Sequence, residues 1–542
     1  MRKFKITSLV LLSVLGSAFA QSTTKKLSEV WVSDLGNGNY KNPIIYADYS
    51  DPDVCRVGKD YYMTASSFNC IPGLPILHSN DLVNWELINY ALPKQPPFEV
   101  FDKIQHGNGV WAPCIRFHNE EFYIFYPDPD FGIYMTKTKN PYGQWSEPIL
   151  LKPGKGIIDP APFWDEDGKA YLGYAFAGSR AGTKSVLMLC SMNAEGTKAN
   201  EDDVLLFDGH AKHNTIEGPK FYKRNGYYYV FTPAGGVATG WELILRSKNI
   251  YGPYEEKIVL EQGKTKINGP HQGAWVDTVT GEDWFIHFQD QGAYGRVVHL
   301  NPMSWKDNWP VMGVDNDHNG IGEPVTEYRK PNVGAVYPKA TPQDSDEFNT
   351  PNQELQWQWH ANKKLVWGYP SAGMGFYRLN CIPKPENYVS LWQVPNIVAQ
   401  KFPAEEFTAT VKFEFTPNFD NEEFRLLIMG RSYNSLSVKQ INGKLQLILS
   451  MAQQADKGKA ETSTEITNLN SNSLYFRVKV AKDGQCQFYY SYDNTQYLKA
   501  GAAFKAMEGL WIGAKLGFVA LREGIINNAG FVNLDWFRIT KN

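Results

Sequence analysis

The stretch EGPKFYKRNGYYYVFT (217–232) has a form that recurs four more times along the chain, and the recurrence decides the fold. A polar or aromatic lead residue precedes a short apolar strand, a tight turn and a second, aromatic strand. The other copies are DPDVCRVGKDYYMTAS (51–66), WAPCIRFHNEEFYIFY (111–126), DPAPFWDEDGKAYLGYA (159–175) and HQGAWVDTVTGEDWFIHF (271–288). Their turns, GKD, HNE, EDG, RNG and TGED, carry the residues that join two antiparallel strands.

A second pattern follows each hairpin: a strand, a polar turn with Pro, Trp or Tyr, and another strand. It is plain in 76–88, 134–150, 243–260 and 297–313, and looser in 185–207. Each repeat therefore holds about four strands, the content of one propeller blade. The expectation is an all-β chain whose N-terminal domain, 21–337, is a five-bladed β-propeller. A β-sandwich gives no reason to repeat one hairpin five times. After a Pro-bearing polar linker at 338–344, the repeat stops. From 345 to 542 the strands alternate with period two, as in 407–415, 425–430, 474–480 and 486–492, which predicts a C-terminal β-sandwich of concanavalin A-like or jelly-roll type.

Composition agrees. With 30 Tyr, 30 Phe and 16 Trp among 542 residues, alongside 46 Gly and 32 Pro, the chain reads as strands and turns. Most of these rings are core, although aromatic faces also stack on sugars. A formal net charge of -3 gives no basis for nucleic-acid or membrane partners. Residues 1–20 read as a signal peptide: Arg2, Lys3 and Lys5 border an apolar run over 6–15, and Ala18-Phe19-Ala20 precedes Gln21. Export to the periplasm or the exterior follows as an expectation. The six cysteines are widely scattered and show no zinc-site spacing.

Inner strands of propeller blades line a central channel, so equivalent repeat positions fall on one ring. The lead residues Asp51, Trp111, Asp159, Glu217 and His271 are expected to meet there. Taken singly, Asp before Pro is usually a turn former, and Trp111 or His271 an ordinary core residue. Three acids on one ring are different, because like charges crowd unless a ligand, a metal or a shared proton compensates. Crowded carboxylates are what glycosidic cleavage needs: a proton for the leaving oxygen and a base on the opposite face of the sugar.

Five stretches, 42–68, 109–117, 158–172, 216–236 and 295–313, resemble glycoside hydrolase family 43, the β-xylosidases and α-L-arabinofuranosidases. Residues 345–363 and 533–540 are similar to the sandwich that follows the propeller in its β-xylosidase-type members. The resemblance implies Asp51 as general base, Glu217 as general acid and Asp159 as the acid that tunes Glu217. It implies inversion, with the two catalytic carboxyls about 6.5–9.5 Å apart. It also implies Phe68 and Trp111 as walls of the first sugar subsite, Arg296 as a substrate-holding arginine and His271 as a channel residue. No cofactor is implied for the chemistry, though a structural Ca2+ lies beside such a histidine in many members. The family often has Asp-Pro-Ser where this chain has Asp51-Pro52-Asp53, which makes Asp53 a rival base. The expected activity is exo-acting removal of terminal β-D-xylosyl or α-L-arabinofuranosyl residues from xylan, arabinoxylan or arabinan side chains. The alternatives are an endo-arabinanase-like hydrolase and a non-catalytic glycan-binding protein. The turn at 524–528 is the expected sandwich loop that narrows the pocket, and 177–215 a subsite loop.

Overall fold

The computed structural model describes residues 26–542, so the expected leader at 1–20 lies outside the described residues. Five consecutive four-stranded antiparallel sheets form the propeller. The first strand of each blade is Asp53–Val57, Cys114–His118, Ile157–Trp164, Lys220–Arg224 or His271–Asp277. Neighbouring blades pack through these strands, and the fifth closes on the first, where Arg56 and Asp277 pair at 2.6 Å. Closure uses no shared blade strand. Instead Asn39–Lys41 pairs with Glu327–Arg329, and the Asn42 amide donates to the carbonyls of Leu300 and Val325.

The sandwich has one eight-stranded and one seven-stranded sheet. Strict alternation along Ser473–Ala481 buries Leu474, Phe476, Val478 and Val480, while Phe407, Ala409, Val411, Phe413 and Phe415 enter the same core from Phe407–Thr416. Tyr46, Tyr294 and Val297 of the propeller also join that core, so the two domains share apolar packing. Backbone bonds stitch the same boundary. Ile71 and Trp359 exchange N–H···O bonds of 2.9 and 2.6 Å, and Asn362 and Gln95 bond reciprocally. The segment 338–344 is pinned as well, with Ala340 N–H donating to Asn84 Oδ1 and the Ser28 hydroxyl to Asp344. All six cysteines are unpaired, five of them buried.

Candidate active site

The lead residues do gather at one mouth of the channel, but not as one equivalent set. Ser66 N–H bonds Ser50 O, Trp111 N–H bonds Pro127 O, and Glu217 N–H bonds Pro233 O, while Ile158 faces Ala175 and His271 faces Phe288. Those pairings make Ser50, Trp111, Ile158, Glu217 and His271 the matching positions. Asp51, Ala112, Asp159, Gly218 and Gln272 come one residue later. Four of these five have positive φ: Asp51 53°, Asp159 57°, Gly218 58° and Gln272 42°. A left-handed residue at a strand start acts as a bulge and re-aims its neighbours, so residues on successive positions reach one channel. Turn spacing does not reveal such an offset, which is why the sequence placed all five in register. For a non-glycine residue the left-handed region costs roughly 1–2 kcal/mol. Three such residues clustered at one channel mouth mark it as a site rather than a packing accident.

Asp51 is 6% exposed and surrounded by donors. The hydroxyls of Ser50 and Ser66 reach Oδ2 at 2.7 and 2.5 Å, and Arg296 Nη1 lies 3.2 Å from Oδ1. Asp53 is excluded from the site. It is fully buried and turned between the first two blades, where it accepts from Ile115 N–H and Arg116 Nη1, both at 2.7 Å. Period-two alternation puts 51 and 53 on one side only in a regular strand, and the backbone turn at Asp51 breaks it.

On the opposite side of the channel, Asp159 accepts from Gly218 N–H at 2.8 Å and from the Gln272 amide at 3.3 Å. It is 3% exposed. Burial foremost, then the neighbouring Glu217 carboxylate, push Asp159 up to about 7, with Gly218 and Lys220 opposing and Asp51 adding to the rise. Of the two neighbouring carboxyls, Asp159 therefore keeps its proton up to near neutral pH. Glu217 is the member open to the cavity, with 24% of its side chain exposed. Its Oε1 lies 3.0 Å from His271 Nε2, and its carbonyl accepts from the Thr232 hydroxyl.

Phe68 and Trp111 form one wall, their rings 6.4 Å apart. The sandwich supplies the next. Trp511, 52% exposed, stands edge-to-face with Trp111 at 5.9 Å, and Arg180 lies over Trp111 at 5.7 Å. The loop that narrows the pocket is therefore 506–514, and the expected turn at 524–528 instead stays with the sandwich, its Ile525 91% exposed. A cavity of about 340 Å³ lies between Asp290, Arg296 and loop residues Glu508 and Trp511. Asp48 fastens the arrangement: its two oxygens accept from Arg296 N–H at 2.9 Å and Gly513 N–H at 3.0 Å. Glycine is required at both contacts. A Cβ on Gly295 would sit 2.4 Å from the Asp48 carboxyl, and one on Gly513 would sit 2.6 Å from Gly295 N.

The sequence profile of glycosyl hydrolases family 43 matches residues 40–310, and that of the β-xylosidase C-terminal concanavalin A-like domain matches 345–540. The chain belongs to glycosyl hydrolase family 43. It is a glycosidase. A Xylanibacter ruminicola protein named as a β-xylosidase is 37% identical over 490 residues, 89% of this chain and 86% of that one. A non-reducing end α-L-arabinofuranosidase of Bacteroides ovatus is 28% identical, covering 77% and 79% of the two chains. Among solved structures, a family 43 protein of Bacillus licheniformis superposes with a TM-score of 0.79 at 25% identity, over 93% of this chain and all of that one.

For a family 43 member, the residues that sequence reasoning missed are the supporting ones: Ser50, Ser66, Gln272, Arg180 and Trp511. The serines and Gln272 border motif residues and carry no signal of their own. From 177–215, Arg180 reaches the Trp111 ring, while His213 turns away toward Glu256. The Ca2+ expectation does not fit the donors present. Calcium takes six to eight oxygens, whereas His271 Nε2 is taken by Glu217 and the buried Nδ1 has no partner. Among the described residues no group of three or more His, Cys, Asp or Glu is arranged for a metal. His271 is the hydrogen-bond partner of Glu217.

Proposed function

We propose that the protein is an exo-acting pentosidase that releases terminal β-D-xylosyl or α-L-arabinofuranosyl residues by a single displacement with inversion. The terminal sugar enters between Phe68 and Trp111. Arg296, which lines the cavity and whose Nε has no hydrogen bond and only a 3.8 Å ion pair with Asp290, donates to its hydroxyls. A water held by Asp51 attacks the anomeric carbon and passes its proton to that carboxylate, while Glu217 protonates the departing oxygen from the other face. Asp159 holds Gly218 N–H and so sets the orientation of Glu217. Trp511 and the 506–514 loop close the far side, which supports action at chain ends and a short acceptor contact. The names of relatives on both sides support the two pentoses.

One observation carries the reading: a donor-ringed Asp51 shares the channel mouth with two further carboxyls, Glu217 and an Asp159 raised to about 7. Glu217→Gln tests it. With the acid removed, aryl glycosides with good leaving groups lose far less kcat/KM than natural xylo- or arabino-oligosaccharides, since they need little protonation. Equal loss on both substrates overturns the assignment. The proposal includes export, with the mature chain starting at Gln21; N-terminal sequencing of the secreted protein checks it.

A further inference from the structure

The five first strands begin at the catalytic mouth and end at the other face of the propeller, where they surround a second cavity. Val54–Arg56, Arg116–His118, 162–164, 221–223 and 275–277 all contribute, and its volume is about 660 Å³, larger than the cavity beside Arg296. The two do not communicate along the axis. Asp53 and Cys114 are fully buried between them, and Trp275 N–H bonds the Tyr222 hydroxyl across the strands.

Its wall combines exposed ring surface with paired charges. Phe117 is 40% exposed, and Phe163 and Trp164 are half-buried beside it, with His118 stacked on Trp164 at 4.5 Å to stiffen the platform. Arg56 is bound to Asp277, Lys223 to Asp165, and Arg116 to Asp53, each at 2.6 or 2.7 Å. An ionic ligand would have to displace a resident partner from each of these pairs. A hydroxyl donates and accepts at once, so it joins such pairs without breaking them. One donor is already left over: Arg116 Nη2 is buried with no acceptor. Ring faces plus a few fixed polar groups in a cavity of several hundred Å³ are the make-up of a small-ligand site.

We infer that this cavity is a second, non-catalytic carbohydrate site that holds a short internal segment of a neutral polysaccharide. The rings take the apolar faces of consecutive sugars, and Arg116, Lys223 and Asp277 take hydroxyls. A chain bound there keeps the enzyme on the polymer while the opposite mouth trims ends. The existence of the site is independent of the pentosidase reading, and only the choice of polymer rests on it.

The test is native electrophoresis of the full chain through gels containing soluble arabinoxylan, with dextran gels as reference. Wild type and Glu217→Gln are both retarded by arabinoxylan. Phe117→Ala, and separately Phe117→Ala with Trp164→Ala, weaken that retardation by about tenfold while kcat/KM on aryl β-xyloside or aryl α-arabinofuranoside stays within about twofold. The single variant removes a surface ring, so its retained turnover shows that it is folded even where the double variant is not. Unchanged retardation of Phe117→Ala, or none for wild type, overturns the inference. If only the pentosidase reading fails, no form cleaves the aryl glycosides and retardation still follows Phe117.

Discussion

Asp159→Asn separates what the third acid does for catalysis from what it costs the fold. In an unfolded chain an aspartate titrates near 3.9, roughly; in this fold burial and Glu217 push Asp159 up to about 7. Below about pH 3 both states hold the proton, and the residue adds nothing to the pH dependence of stability. As pH rises from about 4 to 7 the unfolded chain ionises first, so the native state is progressively disfavoured. Above 7 the penalty is complete. Roughly three pH units at about 1.4 kcal/mol each set a ceiling of about 4 kcal/mol. Asparagine keeps the local bonds: its carbonyl accepts from Gly218 N–H, and its amide donates to Gln272 once that side chain flips. The variant should therefore melt with wild type at pH 4 and above it at pH 8, by a gap that opens through pH 5–7. Its kcat/KM should fall by about 10²-fold or more, with an alkaline limb that no longer reflects loss of the Asp159 proton near pH 7. Thermal melts and aryl glycoside kinetics over pH 4–9 measure both. A stability gap that does not change with pH, or a variant less stable than wild type at pH 8, refutes the reasoning.

Two further outcomes follow from the geometry. Asp51→Asn should reduce kcat/KM by about 10²–10⁴-fold, by the same factor for good and poor leaving groups, since the base acts on water; a series of substituted aryl glycosides checks this. Trp511→Ala should weaken kcat/KM on xylotriose or arabinotriose by about tenfold, or about 1.4 kcal/mol, and leave aryl monoglycosides nearly unchanged, which steady-state kinetics on both substrates distinguishes.

The parts of the site that repeat were legible in the sequence. Five copies of one hairpin specify the propeller, and pseudo-symmetry alone brings Asp51, Asp159 and Glu217 to one channel mouth. The offset between Asp51 and Glu217 is hidden when the repeats are aligned on their acids, and Pro52, Pro113, Pro160 and Pro219, which share one position, are what reveal it. Ser50-Asp51-Pro52 and Glu217-Gly218-Pro219 share one backbone, a left-handed residue before Pro, and carry the acid on successive positions of it. Asp53 was ambiguous as well: only the turn at Asp51 swings it onto Arg116. The sandwich loop failed differently. Gly524 and the asparagines after it have strong turn chemistry, but turn chemistry says only that a chain reverses. What brings 506–514 to the pocket is a tertiary contact 465 positions apart in sequence, Asp48 to Gly513. In hindsight an exposed Trp511 between Gly509 and Gly513 was the signal, an aromatic on a loop whose flanking residues permit close approach.

The proposed chemistry turns on direct attack by water held at Asp51 while Glu217 protonates the leaving oxygen. Proton NMR of the first turnovers of an aryl β-D-xyloside reads this out before mutarotation erases it. The account predicts α-xylose as the first product; β-xylose appearing first would contradict it.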